Sequence, residues 1–182
     1  MGRAVGKCSG IVLNQSMNEE IFDVVDDNDN VVGTAGRLEV HREGLKHRAV
    51  HILVFDHQDR VLVQLRGFNK DCSPGMWDTS AGGHVDSQED YQTAATRELA
   101  EELGVISEGP LEYLFQLPAS ENTGQEFIKV YKVMTGQVPI LQASELAAAR
   151  WVTKSELKAW IKRDRSQFTK VFLKICTEIG LI

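Results

Sequence analysis

Short apolar runs separated by turn signals organise most of the chain. "EIFDVV", "DDNDN" and "VVG" read as strand, turn and strand. "HRAVHILVFD" and "RVLVQLR" are β-branched runs joined by "HQD", which predicts a buried hairpin. "CSPGMWD" holds a Pro-Gly turn. "LEYLFQL", "EFIKVYKVM" and "ARWV" read as three further strands. "TKSELKAWIKR" and "FTKVFLKICTEI" have helical spacing, and Thr153 with Glu156 forms a capping box on the first. Residues 1–18 are weakly patterned and read as a loose tail. No repeat, low-complexity tract or linker interrupts residues 19–182, so one mixed α/β domain is expected there.

One predicted helix departs from ordinary patterning. It lies within "GHVDSQEDYQTAATRELAEELGV", residues 83–105, with Ser87 as the expected N-cap and Gly104 as the stop. At about 100° per residue from Tyr91, Ala94, Ala95 and Leu99 define an apolar stripe at about 300° to 80°. Glu98 falls at about 340° and Glu102 at about 20°, inside that stripe, while Glu101 borders it at about 280°. Carboxylates aimed at a core need partners. Arg97 is the one cation beside them, and one arginine is expected to be too little for three acids. A hard divalent ion, Mg²⁺ or Mn²⁺, suits such oxygen ligands together with substrate phosphate. The competing reading is a solvated acidic face.

Composition narrows the classes. The formal net charge is −6, unlike the basic footprint of a nucleic-acid binder. Three scattered cysteines, Cys8, Cys72 and Cys176, offer neither a disulfide framework nor zinc-ligand spacing. No run reaches membrane-spanning length, so a cytoplasmic protein without membrane association is expected. "DDNDNVVG" is not an EF-hand, since Val31 and Arg37 replace the required Gly and Glu, and it reads as a solvated hairpin turn.

Gly83, Glu89, Arg97-Glu98-Leu99, Glu101-Glu102 and Gly104-Val105 occupy every fixed position of the Nudix box. With each required residue type at about 6 to 7%, a chance match is below about one in a million. The chain therefore resembles the Nudix hydrolase superfamily over most of residues 21–175. The resemblance implies an α/β/α sandwich with a mixed β-sheet and a Mg²⁺- or Mn²⁺-dependent cleavage of a diphosphate linkage in a small molecule. It implies Glu98, Glu101 and Glu102 as metal ligands and catalytic carboxylates, with the Gly83 carbonyl as a further ligand. Glu89 and Arg97 would brace the loop. A glutamate outside the box often assists, and Glu126 and Glu145 are the candidates. A homodimer rests on family analogy alone.

Within the superfamily, "HREGLKHRAVHILVFDHQDRVLVQLRGFNKDCSPGMWDTSAGGH" is most similar to isopentenyl diphosphate isomerase and its hydrolase-like relatives. That resemblance implies a second metal set of His41, His47 and His84, diphosphate contacts from Arg66 and Lys70, and a metal-binding catalytic role for Glu126. The box carboxylates take precedence over this histidine set. Gly82 stands where the isomerase carries a cysteine, and Val171 where it carries a tryptophan. Hydrolysis on an isomerase-like scaffold is thus the expectation. Isoprenoid diphosphate isomerisation and non-catalytic nucleotide binding are the alternatives.

Overall fold

The computed structural model describes residues 19–182; the predicted tail and Cys8 lie outside the described residues. Strands β1 (Ile21–Val25) and β2 (Val31–Gly36) form an antiparallel ribbon. Helix α1 (Arg37–Glu43) follows, closed by Gly44 in the left-handed region at φ 62°. Then come β3 (His47–Phe55), β4 (Val61–Arg66), β5 (Trp77–Asp78), β6 (Ala81–His84), helix α2 (Tyr91–Leu103), β7 (Glu112–Leu117), β8 (Glu126–Met134) and β9 (Leu146–Val152). Helices α3 (Lys154–Arg163) and α4 (Lys170–Glu178) complete the order.

Strands β3 to β9 form one seven-stranded mixed sheet. Its axis is a parallel pairing of β3 with β8, in register from His47↔Glu126 to Phe55↔Met134. Alternation along β3 sends Ala49, Leu53 and Phe55 to one face and Val50, Ile52 and Val54 to the other. The first face is covered by Leu157, Trp160, Phe172 and Ile175 of α3 and α4, the second by Ala94, Ala95, Leu99 and Leu103 of α2. Two buried faces explain why β3 reads as a near-continuous apolar run. The α/β/α sandwich implied by the sequence is the observed architecture.

Three expectations need correction. The β3–β4 hairpin is paired only at Phe55↔Val61, because β6 takes the rest of that edge through Ala49↔His84 to Ile52↔Ala81. The freed β4 pairs instead with β5 and β9. Glycines Gly82 and Gly83 give β6 too little hydrophobic signal to announce itself as a strand. The N-cap of α2 is Asp90, which accepts from Thr93 N at 2.8 Å. Ser87 donates instead to Asp23 at 2.8 Å and ties the box loop to β1.

The acidic turn is not simply solvated. Asp29, at φ 63°, accepts from Arg48 Nε at 2.7 Å, Tyr91 Oη at 2.9 Å and Gln116 Nε2 at 3.0 Å. One carboxylate thereby pins the ribbon to β3, α2 and β7. Helix α1 went unpredicted because seven residues between two glycines carry little periodic signal. Replacing Asp29 by Asn, which tolerates the left-handed backbone, is expected to lower unfolding free energy by about 2 kcal/mol, because charge-assisted bonds to largely buried partners are lost. Urea denaturation of the two proteins measures this.

Candidate metal and diphosphate site

The parallel register brings His47 beside Glu126 at the first residues of two interior strands. The ribbon adds Phe22, fully buried, whose ring stacks on His47 at 5.8 Å and on His84 at 4.5 Å. Helix α1 adds His41, whose ring lies 5.2 Å from both other imidazoles. Ligand atoms of His41, His47 and His84 all lie within 4.8 Å of one another. Glu126 Oε1 stands 3.3 Å from His84 Nε2 and 3.6 Å from His47 Nε2.

The tautomer of His47 follows from its partner. Nδ1 sits 2.9 Å from the Leu45 carbonyl, which can only accept, so Nδ1 carries the hydrogen. Nε2 is then a buried lone pair with no hydrogen-bond partner. It faces a carboxylate oxygen, and two electron-rich atoms at that distance repel unless a proton or a cation joins them. Burial alone would raise the Glu126 pKa, but the facing His47 and His84 outweigh it and hold the carboxyl below the ordinary range. Burial, then His84 and His47, lower the His41 pKa and favour its neutral, ligating form. A cation therefore fits the donors present. Three imidazoles with one carboxylate favour a transition ion over Mg²⁺.

The box carboxylates are distributed differently from the expectation. Arg97 reaches more of them than anticipated: Glu89 at 2.9 and 3.0 Å, Glu98 at 2.7 Å and Glu101 at 3.2 Å. It also donates to the His84 carbonyl at 3.0 Å, which locks the box loop. Glu101 is 59% exposed, so its crowding is relieved by solvent as well. Glu102 is the acid Arg97 does not touch. It is buried, accepting from Gly82 N at 3.1 Å and Gln64 Nε2 at 3.3 Å. Glu98 lies against Gly83, its carboxylate filling the space a Cβ there would need. Among the described residues, the three-ligand grouping is the histidine triad and not Glu98, Glu101 and Glu102.

Burial raises the Glu98 pKa, and burial followed by the Glu98 charge pushes Glu102 up to about 8. Both shifts describe an anionic pair short of compensating charge. Cations approach from the other side. Lys70 ion-pairs with Glu145, so Glu145 is engaged there and Glu126 is the outside-box acid that meets the histidines. Burial lowers the Lys70 pKa, while Glu102 and Glu98 act against it and Arg66 and Arg37 with it. Arg66 is held by Asp78 at 3.6 Å and by the Cys72 carbonyl at 3.1 Å. Arg37 stood out in the sequence only as a departure from an EF-hand and not as a cation of this site; its place one helical turn before His41 was the available signal. Trp77, which has the composition of a base-stacking residue, packs on Trp160 at 4.8 Å in the core.

The NUDIX domain model matches residues 45–172. The chain belongs to the Nudix family. Isopentenyl-diphosphate Delta-isomerase 2 of Photorhabdus laumondii is 33% identical, with 86% of this chain and 90% of that protein covered. An uncharacterized Nudix hydrolase of Streptomyces coelicolor is 35% identical over 79% of this chain and 80% of the relative. The crystal structure of DR0079 from Deinococcus radiodurans superposes with a TM-score of 0.69 at 28% identity, covering 80% and 90% of the two chains. Relatives of this Nudix chain thus carry both hydrolase and isomerase names. Both groups use divalent metals. No helix among the described residues is long and apolar enough to cross a membrane.

Glu102 contributes a pH dependence of stability with a definite sign. Its pKa rises on folding from 4.5 to about 8, so the folded state is favoured while the group is protonated. That contribution is complete below the ordinary value and is lost as pH climbs through about 8. With chelator present, the melting temperature of the wild type is expected to fall across this window more steeply than that of Glu102→Gln. Calorimetry at several pH values tests it.

Proposed function

We propose that this Nudix protein hydrolyses a diphosphate linkage in a small molecule, using a divalent ion. Gly82 is the observation that favours this over isomerisation. A Cβ at Gly82 would lie 2.7 Å from the Val50 carbonyl oxygen, a backbone atom that cannot swing aside. The side chain by which the resembling isomerases differ has no room here. The complete box and relatives named Nudix hydrolases support the same reading.

In this reading His41, His47, His84 and Glu126 hold one ion, and Glu98 and Glu102 hold Mg²⁺ or Mn²⁺ together with substrate phosphate. Bound divalent ions supply neutralisation of phosphate charge and acidify water. Arg66 and Lys70 bind and orient the diphosphate, with Arg37 adding positive field beside them. Arg97 keeps Glu98 in place and clamps the His84 carbonyl, so the loop between β6 and α2 keeps its shape as substrate charge enters. The Gly83 carbonyl and Glu101 complete the set carried by the family pattern.

The histidine cluster with Glu126 favours isomerisation as the second reading, since it is the part of the site that the isomerase resemblance implies. A panel of nucleoside diphosphate derivatives, nucleotide sugars, dinucleotides and isopentenyl diphosphate separates the two. With Mg²⁺ or Mn²⁺, the expected result is released phosphate or monophosphate from one compound class and no allylic isomer. Conversion of isopentenyl diphosphate without phosphate release would reverse the assignment. Substituting Glu102→Gln is expected to lower kcat on the order of a hundredfold with the fold retained. Elemental analysis should detect a transition ion in the wild type and its loss in His47→Ala.

A further inference from the structure

His51 belongs to none of the ligand sets above, yet it faces the same groups. It lies four residues beyond His47 on the same face of β3 and pairs with Gly82. Gly82 puts no side chain against the ring; a Cβ there would stand 3.3 Å from Nδ1. Asp78, Arg66, Glu126 and His84, from β5, β4, β8 and β6, are the charged and titratable groups around it.

The hydrogen bonds determine which nitrogen is free. Nδ1 lies 2.6 Å from Thr79 Oγ1. The Ala81 carbonyl, which can only accept, stands 3.2 Å from that hydroxyl; with the single hydrogen placed there, Thr79 accepts from His51. Nδ1 carries the hydrogen, and Asp78 Oδ1 at 3.8 Å favours the same tautomer. Asp78 is itself oriented by Thr79 N at 2.8 Å and Arg66 Nη1 at 3.6 Å. Nε2 is left with its lone pair. It has no hydrogen-bond partner among the described residues and is not one of the fully buried unpaired atoms; the side chain keeps 12% exposure. Burial lowers the pKa and favours this neutral form.

An imidazole oriented by a hydroxyl and a carboxylate, with its second nitrogen unengaged, has the construction of a general base. Three carboxylates of the site already have partners. Glu98 is on Arg97, Glu102 accepts from Gly82 and Gln64, and Glu126 faces two histidines. We propose that His51 is the acid–base catalyst of the diphosphate cleavage, resting on the hydrolase reading above. Nε2 takes a proton from the attacking water as its oxygen bonds to phosphorus. The bridging P–O bond breaks, its electron pair leaving with the departing phosphate oxygen. The imidazolium then returns the proton to that oxygen.

The test compares wild type with His51→Gln, whose amide can still donate to Thr79, on whichever panel compound the wild type cleaves. The expected result is a fall in kcat of about a hundredfold or more with KM little changed, and loss of the acidic limb of the pH profile. Nitrogen NMR of histidine-labelled wild type gives a readout independent of turnover. His51 should show the Nδ1–H tautomer, and its Nε2 resonance should shift when Mg²⁺ and methylenediphosphonate are added. An unchanged kcat and pH profile, the opposite tautomer, or an unmoved Nε2 resonance would each overturn the proposal while hydrolysis stands. A wild type that cleaves no panel compound removes the hydrolase reading and this assignment with it. If His51→Gln does not fold, the wild-type NMR result decides.

Discussion

The parallel register of β3 on β8 is the constraint on which the site depends. It sets His47 against Glu126 and leaves eight further consecutive residue pairs to hold them there. A one-residue slip would send each of these side chains to the other face of the sheet. His84 joins them because β6 pairs with the opposite edge of β3, at Ala49↔His84. Three strands adjacent in space thus deliver three members of the cluster, and α1 brings His41 over the top. The cluster is a product of backbone hydrogen bonding before it is a product of electrostatics.

Electrostatics then divides the acids by partner. Arg97 compensates Glu89, Glu98 and Glu101 and leaves Glu102 to neutral donors. Glu126 faces imidazoles instead. The consequence is two regions of unequal chemistry: a nitrogen-rich cluster, and an oxygen-rich pair whose buried charge is only partly offset. Hard and borderline cations would sort between them by donor type. Lys70 and Arg66, tethered through Glu145 and Asp78, present positive charge without collapsing onto the box acids.

Gly82 links the fold to the choice of chemistry. Its backbone runs so close to the Val50 carbonyl that a side chain is excluded, and a Cβ there would also crowd the His51 ring. Space withheld from one residue type is thereby available to another. Asp29 acts similarly at a distance: by pinning the ribbon to β3, α2 and β7, it steadies Phe22 and, through β2 and α1, the approach of His41.

The amino-acid sequence by itself determined the family, the strand and helix runs with strong periodicity, the α3 capping box and the inward placement of Glu98 and Glu102. These are local properties, carried by spacing within one or two turns. It also contained the signal for the histidines and ranked the box above them, but it could not show their convergence, which joins residues from α1, β3 and β6. Only the tertiary structure decided that β6 wedges between β3 and β4, that Asp29 is a hub and that Arg97 serves three carboxylates. Each of these depends on which segments become neighbours across tens of residues, and residue pattern along one segment carries no record of what lies opposite it.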